Sequence, residues 1–153
     1  MKTHAITSVL VAFMAAAPAS AEQVLANQPQ IVSLLQAKGY KAELIQGKET
    51  EYIRTADSGV PITILFMNCA KGKRSCTTIQ FYTGFSEIDT THQRINDWNM
   101  NHRWGRAYID RTGDPVIEMD VDMDFGGISS DLFYDNLNTF VATIPQFKAH
   151  LTK

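Results

Sequence analysis

One stretch of eight residues alternates strictly between apolar and acidic side chains. Its apolar members are Ile117, Met119, Val121 and Met123, and its acidic members are Glu118, Asp120, Asp122 and Asp124. Because successive side chains of a β-strand point to opposite faces of a sheet, this period of two predicts a strand with its apolar face in the core. The four carboxylates are then predicted to share a solvated face, as in an antiparallel sheet covered on one side only.

The residues before this strand predict a helix followed by a hairpin. Ile95, Trp98 and His102 recur at helical spacing, and Gly105 is placed to end the helix. A short strand over residues 106–110 precedes the turn at 111–115, where glycine and proline favour a chain reversal. The alternating strand is therefore predicted to be the second strand of an antiparallel hairpin.

The rest of the chain predicts two more helices and four more strands. The first helix covers residues 27–38, with Asn27 as its cap and Pro29 in its first turn. Strands are predicted at 40–45, 51–55, 60–69 and 76–83, and the last two are apolar enough for the middle of the sheet. The last helix begins at Ser129 or Ser130, and Pro145 is predicted to kink or shorten it.

The resulting order is α-β-β-β-β-α-β-β-α, which predicts an α+β fold with a mostly antiparallel sheet and helices packed against it. The chain has 153 residues, enough for one domain with a real core. Its hydrophobic content of 44% and charged content of 20% are typical of a globular protein. We therefore expect residues 22–153 to form a single domain.

The first 21 residues have the features of a secretory signal peptide. Lys2 supplies a positive charge, residues 5–17 form a short hydrophobic stretch, and Ala19-Ser20-Ala21 is an A-x-A cleavage site. A membrane anchor is disfavoured, since a spanning helix needs about 20 apolar residues. The residue directly after the site is Glu22 and not a cysteine, which argues against a lipid anchor. We expect a periplasmic or secreted protein without a stable membrane span.

The two cysteines are predicted to form a structural disulfide. Cys69 and Cys76 lie near the ends of two apolar runs that read as a hairpin, and an oxidising compartment would pair them. The alternative is a redox-active or metal-binding pair, which the absence of a nearby histidine and of a C-x-x-C motif disfavours. Because the closed loop is short, the expected stabilisation is about 2–2.5 kcal/mol.

The acidic residues of the alternating strand have several interpretations. They can form a solvated face, protect the strand from pairing edge to edge, or bind a divalent cation or a basic partner. Asp120, Asp122, Asp124 and Asp131 fall at relative positions 1, 3, 5 and 12 of a calcium loop. Phe125 stands where that loop requires glycine, so no metal site is predicted.

Aromatic and basic residues extend this candidate surface. Trp98, Trp104 and Tyr108 can line a ligand groove, although aromatic residues at helical spacing more often lie in a core. Arginines in the same stretch can bind an anion or pair with nearby carboxylates. The candidate binding surface comprises Trp98, Arg103, Trp104, Arg106, Glu118, Asp120, Asp122 and Asp124.

The sequence contains no catalytic signature. The histidines after residue 21 lack ligand spacing, and no serine or cysteine stands in a nucleophile motif. Carboxylates on a solvated strand face lack the burial that would raise one pKa for acid–base catalysis. After cleavage, 13 Lys and Arg residues stand against 16 Asp and Glu, a net charge of −3 that is too mild to indicate nucleic acid. Neither an enzyme nor a cofactor is predicted.

Residues 94–147 resemble the YbjN family, and the resemblance extends more generally over most of the chain after residue 25. It is carried by Asn96-Asp97-Trp98-Asn99, Arg103-Trp104, Arg106-Ala107-Tyr108, Gly113-Asp114-Pro115-Val116 and Glu118-Met119-Asp120, followed by a glycine pair and a helix. The family is associated with bacterial sensory transduction regulation, with a fold like that of type III secretion chaperones and with no assigned enzyme activity. The resemblance therefore implies such a fold and a protein partner, or a homodimer.

The predicted function is that of an exported, non-enzymatic binding module with a chaperone-like or regulatory role. The alternative is a sensor of a small ligand or a divalent cation that uses the acidic strand or the aromatic groove.

Overall fold

The computed structural model describes residues 22–48, 51–70 and 76–152. The described helices are α1 (Gln28–Ala37), α2 (His92–Asn101) and α3 (Ser130–Leu151). The described strands are β1 (Gln23–Val24), β2 (Glu43–Gln46), β3 (Glu51–Asp57), β4 (Val60–Met67), β5 (Thr78–Gly84), β6 (Arg106–Ile109), β7 (Pro115–Asp122) and β8 (Ile128–Ser129). The predicted signal peptide lies outside the described residues.

Six of the strands form one sheet in the order β2-β3-β4-β5-β7-β6, and every neighbouring pair is antiparallel. The predicted α+β class and order of elements are confirmed. The structure adds the two-residue strands β1 and β8, which pair with each other in a separate small sheet. Strands this short leave no periodicity in a sequence, which is why they were not predicted.

Helices cover one face of the six-stranded sheet. Ile53, Ile64, Phe81 and Met119 stand opposite one another across four strands, and all are buried. Helix α3 packs on this row, with the rings of Phe133 and Phe140 centred 6.2 and 5.7 Å from the ring of Phe81. The core therefore lies between the sheet and α3, as the apolar half of the alternating strand predicts.

Side-chain caps set the beginning of each helix. Asn27 accepts a hydrogen bond from the backbone N–H of Gln30, Thr91 accepts from that of Arg94, and Ser129 accepts from that of Leu132. Such caps satisfy backbone donors that have no partner inside the helix.

Helix α3 continues through Pro145 to Leu151, so the predicted shortening at Pro145 is wrong. The helix has buried apolar side chains on both sides of the proline, and beyond it Phe147 packs against Phe85 and Trp98. Burial of these side chains outweighs one missing backbone hydrogen bond.

The segment before α1 is tied to the rest of the fold by backbone contacts. Ala26 forms an isolated antiparallel bridge with Cys76, and the carbonyl of Glu22 accepts from the N–H of Ser130. Gly127 has a φ of +86°, and a Cβ there would stand 2.0 Å from the carbonyl oxygen of Val24. Only glycine allows this close approach.

The structure contains the predicted disulfide between Cys69 and Cys76, which joins the end of β4 to the chain just before β5. Among the described residues, no helix is both long and apolar enough to cross a membrane.

Candidate binding surface

The second face of the six-stranded sheet carries no helix within the described part of the chain. We call it the open face. One row of its side chains runs in register across all six strands: Glu43, Arg54, Thr63, Tyr82, Glu118 and Arg106. Further residues two positions along the strands belong to the same face, namely Ile45, Tyr52, Leu65, Met67, Gln80, Tyr108, Asp120 and Asp122. Most of these side chains are exposed or half-buried.

Two side chains of this face are buried, Gln80 and Glu118, and Glu118 is only 3% exposed although it carries a carboxyl group. Its carboxylate pairs with the guanidinium of Arg106 and accepts a hydrogen bond of 3.1 Å from the hydroxyl of Tyr108. Both oxygens therefore have a partner, which offsets the cost of burying the charge. The prediction that all four carboxylates of the alternating strand lie in water is wrong for Glu118, since long side chains on neighbouring strands cover it.

The side chain of Arg106 is fixed by its ion pair with Glu118 but remains largely exposed to solvent. Its side chain remains 70% exposed although it pairs with the buried Glu118. The guanidinium carbon lies 5.8 Å from the centre of the Tyr108 ring, within the range of a cation–π contact. The buried carboxylate of Glu118 therefore holds a positively charged group in one position at the surface.

Two tyrosines border a shallow depression beside this pair. Tyr82 and Tyr108 line it together with Ile109, Asp110 and Arg111, and its volume is about 470 Å³. Burial raises the pKa of the Tyr82 hydroxyl above its ordinary value of 10.0, and negative charge at Tyr108, Asp110 and Asp114 adds to the effect. The Tyr82 hydroxyl is therefore a neutral hydrogen-bonding group at ordinary pH.

The remaining acidic residues form one margin of the open face. Asp120 is exposed and accepts a 2.7 Å hydrogen bond from the side-chain amide of Gln80, which is itself buried. Asp122 is exposed one pleat further along β7. Among the described residues, β6 pairs with β7 only as far as Glu118, so Asp120 and Asp122 lie where β7 has no partner on that side, and their charges fit a protection against edge pairing. We call Asp120 and Asp122 the acidic margin.

The calcium-loop spacing does not produce a calcium site. Asp120 and Asp122 lie on a strand, whereas Asp124 and Phe125 lie in the turn that follows it. Within residues 22–48, 51–70 and 76–152, no group of three or more His, Cys, Asp and Glu side chains could hold a metal ion.

The two tryptophans of the predicted surface are separated by the fold. Trp98 is fully buried, stacks on His102 with ring centres 3.5 Å apart, and donates from Nε1 to the carbonyl of Gly105. Its edge contact with Phe147 places it between α2 and α3, which is the core position that helical spacing favours. Trp104 is 52% exposed, and Arg103 beside it is exposed as well. The predicted aromatic groove is therefore not formed.

Sequence reasoning missed the contribution of β4 and β5 to the open face. Both strands read as nearly continuous apolar runs, which predicted a place in the middle of the sheet and gave no indication that Leu65 and Tyr82 lie on an uncovered face. A weak signal exists in β5, where Thr78, Gln80 and Tyr82 alternate with the buried Ile79 and Phe81. The position of β7 next to β5 depends on pairings between distant residues, which no local pattern shows.

These features define an α+β module whose sheet is covered on one side and uncovered on the other. The profile of the YbjN family, described as "Putative bacterial sensory transduction regulator", matches residues 28–153. The chain belongs to this family, which is not known to be enzymatic. It matches no curated protein and no solved structure significantly.

Proposed function

We propose that this protein is an exported, non-enzymatic binding module that docks a protein partner on the open face, in a chaperone-like or regulatory role. The observation that carries the proposal is the anchored Arg106 on a sheet face that no described helix covers. A charged group held by a buried carboxylate loses little freedom when a partner binds it, so this side chain adds little to the entropic cost of association.

The side chains around Arg106 fit a protein partner. Tyrosine, methionine and arginine are enriched in protein interfaces, and the open face carries Tyr52, Tyr82 and Tyr108 together with Met67. The acidic margin lies beside them, as a polar rim does around an interface centre. Exposed carboxylates at a rim mainly accelerate encounter with a partner of opposite charge. A partner with a basic patch facing this margin is therefore favoured.

Two features support export. Residues 1–21 have the pattern of a signal peptide, and the disulfide between Cys69 and Cys76 suits an oxidising compartment. Both agree with a role in the periplasm or outside the cell.

Site-specific cross-linking in the periplasm tests this function. A photoreactive residue replaces the half-buried Leu65, and the cross-linked protein is identified by mass spectrometry. The double variant Asp120→Arg and Asp122→Arg should abolish the product, because it reverses the charge of the acidic margin. The control variant Glu87→Arg and Asp135→Arg makes the same charge change at exposed positions outside the open face and should leave the product intact.

The melting temperature of each variant establishes that it is folded. A product that survives reversal of the acidic margin, or that only the control variant removes, would show that the partner does not use the open face.

The depression beside Tyr82 and Tyr108 is the one feature that favours the small-ligand alternative. It is wide and shallow, whereas small-molecule sites usually enclose most of the ligand surface. The cation version is tested by adding millimolar calcium, since a bound cation would relieve repulsion within the acidic margin. An increase in melting temperature that Asp120→Asn removes would favour a cation sensor over a protein-binding module.

A further inference from the structure

Phe125 is an aromatic residue whose side chain has almost no contact within the described part of the chain. It lies in the turn between β7 and β8 and is 99% exposed, whereas Met100, another exposed apolar residue, is 74% exposed. Burial of a phenylalanine ring is among the most favourable changes that one side chain can undergo. The ring would therefore contribute strongly to binding by any surface that covers it.

The backbone at Phe125 is also unfavourable for a bulky residue. Its φ is +55°, in the left-handed region that residues with a Cβ rarely adopt. Gly126 and Gly127 follow with φ values of +100° and +86°. A glycine at position 125 would adopt the same turn without strain. The turn therefore does not require the ring, and a strained residue that the fold does not require points to a role in binding.

The turn holds Phe125 beside negative charges. The carboxylate of Asp122 accepts a 3.0 Å hydrogen bond from the backbone N–H of Asp124, and the carboxylate of Asp124 accepts one of 2.9 Å from the N–H of Phe125. Residues 116–128 include four acidic residues and no lysine or arginine. Leu25 is 47% exposed and lines a depression of about 230 Å³ together with Phe125. The turn therefore combines an exposed ring, adjoining apolar surface and fixed carboxylates.

We propose that Phe125 inserts into an apolar pocket of a protein partner, and that lysine or arginine residues of the partner surround this pocket. The ring requires the apolar pocket, and the carboxylates of Asp122 and Asp124 require the basic rim by charge complementarity. A lipid surface is disfavoured, because anionic headgroups would repel the acidic residues beside the ring. The inference rests on the proposed function, since Asp122 belongs both to this turn and to the acidic margin.

The fixed conformation of the turn suits this role. Aromatic residues that enter desolvated pockets supply much of the binding energy of protein interfaces. Because the two aspartate side chains already hold the turn, little backbone freedom is lost when a partner binds it.

Phe125→Gly tests the inference, because it removes the ring and the backbone strain together. We expect its melting temperature to equal or exceed that of the wild type, and its affinity for the partner to fall by about thirtyfold or more, as when a dominant interface residue is truncated. The control is Ser58→Gly, which relieves a φ of +48° in another exposed turn and should leave the affinity unchanged. A lower melting temperature with unchanged affinity would show that the ring serves the fold.

Photo-cross-linking in the periplasm from Leu65 and, separately, from Leu25 supplies the partner, which is purified for the affinity measurement. A protein that is trapped from both positions and that loses affinity for Phe125→Gly supports the inference and the proposed function. A protein that is trapped only from Leu25, with the same loss, supports the inference and contradicts docking on the open face. No product from Leu25, or full affinity for Phe125→Gly, would overturn the inference, whatever is trapped from Leu65.

Asp124→Asn tests the basic rim, because asparagine keeps the acceptor for the N–H of Phe125 and removes the charge. It should weaken binding severalfold and reduce the dependence of binding on salt, whereas Asp135→Asn, at an exposed position on α3, should do neither. Unchanged binding by Asp124→Asn would contradict the basic rim. Sedimentation of the purified protein with phosphatidylglycerol vesicles, lost in Phe125→Gly, would identify a lipid surface and overturn the protein partner.

Discussion

The buried carboxyl group of Glu118 has Arg106 and Tyr108 as its partners. Arg106→Ala would leave the carboxylate buried with one hydrogen bond, and we expect the free energy of unfolding to fall by about 1–3 kcal/mol. Urea denaturation measures the loss. Arg103→Ala, at an exposed position three residues earlier, should change stability by less than about 0.5 kcal/mol.

A double variant separates the ion pair from simple loss of side-chain packing. Adding Glu118→Gln to Arg106→Ala removes the unpaired charge and should recover part of the lost stability. If the double variant is less stable than Arg106→Ala alone, the buried charge is not what makes the single variant unstable.

Asp110 has a carboxyl group whose titration the structure perturbs. A hydrogen bond from the Thr112 hydroxyl, followed in size by one from the backbone N–H of Asp114, holds its pKa below the ordinary value of 3.8. A depressed folded-state pKa contributes stability above the unfolded-state pKa, and this contribution is lost as the pH falls through the folded-state value.

Thr112→Val removes the largest cause of that depression. We expect the pKa of Asp110 to rise toward 3.8 in an NMR titration, and the acid-induced loss of stability below about pH 4 to become smaller. Thr139→Val, in α3 and outside this turn, should leave the titration of Asp110 unchanged. An Asp110 pKa that does not move in Thr112→Val would show that the hydroxyl is not its main partner.

At the scale of an element, α3 contains a proline that lowers the stability of the helix and that can be replaced. Pro145 lies inside the helix with an exposed side chain and has no N–H to donate to the carbonyl of Val141. Pro145→Ala should raise the free energy of unfolding by about 1–3 kcal/mol, less the entropy that proline removes from the unfolded chain. Chemical denaturation measures the gain, and Gln146→Ala, at the next exposed position, should be nearly neutral. A less stable Pro145→Ala would indicate that the packing of α3 requires the proline.

Local chemistry explains which elements could be predicted from the sequence. Asn27 and Ser129 cap helices through bonds to residues three positions away, so their roles are visible in the sequence. The alternation of apolar and acidic residues in β7 predicts which of its faces is buried. In contrast, β1 and β8 form because each pairs with the other across about a hundred residues. Helix α3 continues past Pro145 because side chains distant in sequence, such as Trp98, pack against it there.

At the scale of the whole molecule, the disulfide joins the two central strands of the sheet. Reduction of Cys69 and Cys76 should lower the free energy of unfolding by about 2–2.5 kcal/mol, because the unfolded chain regains the freedom of the closed loop. Urea unfolding with and without a reductant measures the difference. The variant Cys69→Ser with Cys76→Ser should match the reduced protein and show no response to reductant. Identical unfolding of the wild type under both conditions would contradict this role.

The candidate surface could be predicted only in part, because some of its residues are brought together by pairings between distant parts of the chain. Arg106, Glu118, Asp120 and Asp122 lie within one predicted hairpin, and the structure brings them to one face. Trp98 was grouped with them because it is near in sequence, but helix α2 turns it into the core. Tyr82 was left out because it reaches Glu118 through the pairing of β5 with β7.

Because one tryptophan is buried and the other is exposed, tryptophan fluorescence can report on two regions of the molecule separately. Trp98 is enclosed by rings, so it should emit at short wavelength in the folded protein and shift to the red on unfolding. Trp104 is in contact with water and should emit at long wavelength in both states. In Trp104→Phe, fluorescence therefore reports core packing alone. In Trp98→Phe, it reports any partner that reaches the segment between α2 and β6.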